Sequence, residues 1–90
     1  MKLSDFPYTN RCKVLLIDDE VDLCMLMRQY FLRKNYEVFI SHTGKDAISQ
    51  AAAYQPDYIL LDTNLPDGCR NLEQQLKEAA PNARITHIGK

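Results

Sequence analysis

Ninety residues, 46% apolar and 26% charged, suffice for one small globular domain and leave little room for a second. A net charge of -1 and a pI near 6.0 exclude a nucleic-acid module that works by bulk charge, and the apolar content excludes a disordered chain. No run approaches the roughly 20 apolar residues that cross a bilayer, and Met1 to Asn10, polar and broken by Pro7, lacks the apolar stretch of a secretory signal.

The first apolar run is Val14-Leu15-Leu16-Ile17, which stops at Asp18-Asp19-Glu20. Such a run, rich in branched residues and bounded by charge, predicts a strand buried on both faces. From Val21 to about Lys34, Cys24, Met27, Tyr30 and Phe31 recur at helical spacing, with Leu23 and Leu26 widening the stripe. Acids precede this helix, Arg33-Lys34 close it, and Asn35 is its stop. Tyr36 to Ile40 alternates as a shorter strand. Gly44 to Tyr54 predicts a second helix, capped by Ser41 or Thr43 and ended by Pro56, with a small-residue face of Ala47, Ile48, Ala51 and Ala52. Tyr58-Ile59-Leu60-Leu61 is a second continuous apolar run, and it too stops at an acid, Asp62. Thr63 to Gly68 carries turn chemistry at Pro66 and Gly68. Asn71 to Ala80 predicts a polar third helix with Leu72, Leu76 and Ala79 or Ala80 on one face, and Arg84 to Ile88 is the last strand. Strand–helix alternation with short connections implies an α/β fold with a doubly wound parallel sheet.

The chemistry lies where the two most apolar strands end. In a doubly wound sheet, ligands bind at the carboxyl ends of strands beside the switch in strand order. With the first and third strands as neighbours, Asp18, Asp19 and Asp62 converge, and three close carboxylates repel unless a cation or protons neutralise them. All-oxygen ligands of high charge suit Mg²⁺ or a similar hard ion, and the loop after Asp62 can add a backbone carbonyl. Acids after a strand also cap the following helix, so for Asp19 the two roles stand side by side. The acid ending the second buried strand, with its Pro-Gly loop, favours the cation.

The segments Val14 to Glu20 and Pro56 to Gly68 together resemble the receiver domain of two-component response regulators, over about residues 12 to 88. The resemblance implies a flavodoxin-like strand order 2-1-3-4, an N-terminal extension over 1–11, and a truncated receiver over 12–90 without the usual fifth strand and final helices. It implies a phosphoacceptor signalling domain rather than a turnover enzyme. Asp62 would accept a phosphoryl group from the phosphohistidine of a histidine kinase or phosphotransfer protein. Asp19 would bind Mg²⁺ directly, Asp18 through water, and Asn64 through its backbone carbonyl. The chain departs from the family at Gly89, which stands where a Ser or Thr hydroxyl is usual, and the family's fifth-strand Lys has no counterpart; Lys90 lies on the wrong strand. Those departures suit a second reading, a degenerate receiver that serves as an interaction or dimerisation module. A phosphatase-like hydrolase also uses a strand-end Asp with Mg²⁺, but Asn64 stands where that class carries an Asp.

The remaining polar residues are read as structural. Cys12, Cys24 and Cys69 are an odd set without CxxC spacing, which predicts reduced thiols in a cytoplasmic protein. His42 and His87 have no metal-spaced partner, Tyr30, Tyr36, Tyr54 and Tyr58 read as half-buried packing, and Met25 and Met27 as core. Direct nucleic-acid or membrane contact is not expected. The fourth strand is expected to be an uncovered edge, exposing Ile85 or Ile88, and to pair with a second copy in a two-fold homodimer. Arg84, His87 and Lys90 keeping that edge soluble is the alternative.

Overall fold

A computed structural model of the chain describes residues 12–63, 65 and 71–88. Seven elements alternate: β1 (Lys13–Ile17), α1 (Val21–Arg33), β2 (Glu37–Ser41), α2 (Gly44–Tyr54), β3 (Tyr58–Asp62), α3 (Leu72–Ala79) and β4 (Arg84–Ile88). The four strands form one parallel sheet in the order β2-β1-β3-β4. The two continuous apolar runs, β1 and β3, occupy the two interior positions, where both faces and both edges are covered.

Alternation along the strands divides the core. Leu15 and Ile17 of β1 and Ile59 and Leu61 of β3 point to one face and pack with Ala47 and Ala51 of α2 and Leu72, Leu76 and Ala80 from the α3 segment. The small residues of α2 let it approach the sheet closely. Val14, Leu60 and Tyr58 point to the other face, where with Phe31 and Tyr36 they line an open apolar cavity of about 130 Å³. Phe31, Tyr36 and Tyr58 stack in sequence there, at centroid distances of 5.3 and 6.2 Å.

The ends of the elements follow local chemistry. Thr43 is the N-cap of α2 and accepts the Asp46 N–H at 3.1 Å. Asn35 and Gln55 adopt left-handed backbone after α1 and α2, with φ of 66° and 50°. Glu20 precedes α1 without a side-chain cap. The expected α1 stripe is too wide: Leu26 and Tyr30 are 65% and 56% exposed, and Cys24, Met27, Phe31 and Leu23 make its inner face. Met25 is not core but 49% exposed.

β4 is an edge strand among the described residues. Its Ile85 does not face solvent freely as expected but packs against the α2–α3 core, because its register partner Ile59 points to that face. Outside that core, Glu73 of α3 accepts from His87 of β4 at 2.7 Å and from Lys77 at 3.3 Å. The Lys77 hydrogen bond, joined by His87, holds the Glu73 carboxyl below the usual carboxylate range. What that exposed cluster contributes is present above the ordinary carboxylate pKa and fades as pH falls through the lowered one; solvent keeps it small.

Candidate metal and phosphoacceptor site

The register of the sheet assembles the site. Ile17 lies opposite Ser41 on one side and Leu61 on the other, so β1 and β3 end side by side at the carboxyl edge. The chain then turns out of β1 at Asp18, and β3 closes on Asp62. One carboxylate oxygen from each of Asp18, Asp19 and Asp62 lies within 4.8 Å of the others. Asp18 and Asp62 are 1% and 2% exposed, while Asp19 is open to solvent. Two buried carboxylates and one exposed carboxylate in that space are a donor set for a hard, oxygen-loving divalent cation, with room on the Asp19 side for water or a ligand.

The Asp18 side chain is committed in part to the turn. Its Oδ1 accepts the Glu20 N–H at 2.9 Å, which shapes the entry into α1. The N-cap position of α1 is Glu20 and not Asp19, and the Asp18 bond closes the turn that leads into it. Asp18 N–H donates to the Ser41 carbonyl at 3.0 Å and extends the β1–β2 ladder by one residue. On the far side, Thr63 N–H donates to the Ile88 carbonyl at 3.1 Å and ties the exit of β3 to β4.

The fourth strand brings no hydroxyl to Asp62 within the described residues. Ile88 is the register partner of Asp62, and Thr86 pairs with Leu60, two residues back along the sheet. Asn64, Cys69, Gly89 and Lys90, all named in the sequence reading, lie outside the described residues, as does the extension 1–11. One contact beside the site was not foreseen from sequence. His42, read as structural and without a metal-spaced partner, places its Nδ1 2.8 Å from the Asp18 carbonyl.

A family model for the response regulator receiver domain matches residues 14–89. The chain belongs to that family. Among its relatives is the transcriptional regulatory protein ResD of Bacillus subtilis, 36% identical over an 86-residue alignment that covers 90% of this chain and 35% of ResD. The sporulation initiation phosphotransferase F of the same organism is 29% identical over 75 residues, 81% of this chain and 60% of that protein. A solved response regulator from Burkholderia pseudomallei, with a phosphorylated aspartic acid, a calcium ion and citrate, superposes with a TM-score of 0.82 at 25% identity, over 87% of this chain and 46% of that one. The chain thus spans about a third of the length of ResD. Receiver domains of response regulators are signalling domains, and the parallel sheet with strand order 2-1-3-4 described here matches part of that fold.

Proposed function

We propose that this receiver is the phosphoacceptor of a two-component phosphorelay, taking a phosphoryl group from a histidine kinase or phosphotransfer protein onto Asp62 in the cytoplasm. The observation that carries this reading is the convergence of Asp18, Asp19 and Asp62 at the ends of two neighbouring buried strands. The phosphorylated aspartic acid and calcium ion of the Burkholderia regulator support it. A carboxylate oxygen of Asp62 attacks phosphorus, and the bond from phosphorus to the donor imidazole nitrogen breaks, the nitrogen leaving with the electron pair. A bound Mg²⁺ supplies the positive charge that lets two anions approach. Asp18, Asp19 and Asp62 would hold it, with the Asn64 carbonyl as a further oxygen. Asp62 is oriented by its place at the end of β3, and Asp18 by its turn and ladder bonds.

Titration with Mg²⁺, followed by NMR, tests the ligand set. The signals of Asp18, Asp19 and Asp62 are expected to shift together with weak affinity, and Asp19→Ala is expected to lower that affinity at least tenfold, since removing one of few protein ligands leaves water in its place. Equal binding by Asp19→Ala overturns the assignment.

The edge of β4, unpaired among the described residues, supports a homodimer in which two copies pair edge to edge through that strand. Light scattering is expected to give a mass near twice 10.4 kDa at micromolar concentration, and Ile88→Lys to shift it toward the monomer. A wild-type mass of 10.4 kDa throughout contradicts the dimer.

A further inference from the structure

Asp18 and Asp19 are joined by one planar peptide unit, so whatever fixes the Asp18 carbonyl fixes the start of Asp19 as well. That carbonyl accepts two bonds: from His42 Nδ1 at 2.8 Å and from the buried Cys24 thiol at 3.6 Å. A thiol is a weak donor, so the imidazole is the stronger anchor. The ring is itself well placed. It follows Ser41, the last residue of β2, whose register partner is Ile17. It precedes Thr43, the α2 cap, which accepts from Asp46 N–H. Ser41 Oγ lies 2.9 Å from both the Thr43 carbonyl and Asp46 Oδ2, which closes the loop around His42.

We propose that His42 is a positioning residue for the acidic site: by holding the peptide unit between Asp18 and Asp19, it sets both carboxylates for the divalent cation. The proposal rests on the reading of the acidic cluster as a cation site. A carbonyl only accepts, so Nδ1 carries the proton that makes this bond. Without it the peptide unit gains rotational freedom, which moves ψ of Asp18 and φ of Asp19 together. The exposed Asp19 then has to be reordered when the cation binds, and affinity falls.

The test is Mg²⁺ affinity by calorimetry for the wild type, His42→Ala, His42→Asn and His42→Gln, with thermal midpoints of the metal-free proteins measured alongside. The Asn amide nitrogen stands at the same bond distance from the backbone as Nδ1, and the Gln amide nitrogen at that of Nε2. His42→Ala and His42→Gln are expected to bind Mg²⁺ roughly 3- to 10-fold more weakly. His42→Asn is expected to recover to within about twofold of the wild type, because the donor at the Nδ1 position is what counts. The ¹⁵N shifts of the wild-type imidazole are expected to show Nδ1 protonated without metal. Unchanged affinity in His42→Ala, an equal loss in all three variants, or an imidazole protonated at Nε2 alone overturns the proposal. A wild type that binds no Mg²⁺ overturns the cation-site reading and the proposal with it, so the two failures are told apart.

Discussion

Asp62→Asn protein is expected to gain no mass when treated with acetyl phosphate and Mg²⁺, under conditions that label the wild type. Asp62 is the acid at the end of β3, 2% exposed, with the carboxylates of Asp18 and Asp19 beside it. An amide there keeps the shape of the side chain but is no nucleophile toward phosphorus. The fold should survive, since one of three mutually repelling charges is removed. Labelling of the wild type is expected to be slow. Gly89 stands where the family resemblance places a Ser or Thr hydroxyl, and glycine has no side-chain donor for a phosphoryl oxygen. Losing one preorganised contact of that kind costs about 2.7–4 kcal/mol in barrier height, a factor of roughly 100 to 1,000. Chelating Mg²⁺ is expected to abolish labelling. A mass increase that persists in Asp62→Asn would show that another residue is the acceptor.

Leu76→Ala is expected to destabilise the domain by about 2–5 kcal/mol in urea unfolding. Leu76 is fully buried in the middle of α3 and, with Leu72 and Ala80, belongs to the core cluster that holds Ala47 and Ala51 of α2, the element α3 packs beside, together with Ile59 and Leu61 of β3. α3 has only eight residues and is polar on its other faces, so this contact is its main attachment. A 90-residue domain has a total stability on the order of 5–13 kcal/mol, so this single truncation removes a large fraction of it. A loss below about 1 kcal/mol would show that α3 is held by something other than its apolar face.

Much of this architecture is legible in the chain, for a physical reason that also explains the exceptions. β1 and β3 are interior strands covered on both faces, and that burial demands the unbroken apolar runs Val14 to Ile17 and Tyr58 to Leu61. Parallel neighbours joined by right-handed crossovers must end on the same side, so the acids after the two runs had to meet. β4 is harder to read, because an edge strand buries little: Arg84, Thr86 and His87 are exposed, and Ile85 is what ties it to the core. On α1, helical spacing alone admits Leu26 and Tyr30 to the stripe. The helix sits over only part of the sheet, so its flanks stay in water. The His42 contact has no signature in sequence at all. Its partner is a backbone carbonyl 24 residues away, and every residue has one. The nearest signal is that His42 immediately follows a strand adjacent to β1. The pairing of Glu73 with His87 is hidden for the same reason, since it joins surfaces of a helix and a strand that only the fold makes neighbours.

Whether Asp62 takes up a phosphoryl group is decided by the intact mass of the wild-type protein after treatment with a small phosphodonor. Addition of one phosphoryl group is expected when Mg²⁺ is present, none with chelator, and fragmentation is expected to place it on Asp62. No mass increase, under conditions that label an ordinary receiver, would rule out Asp62 as a phosphoacceptor and identify the domain as an interaction module that keeps the receiver fold without its chemistry.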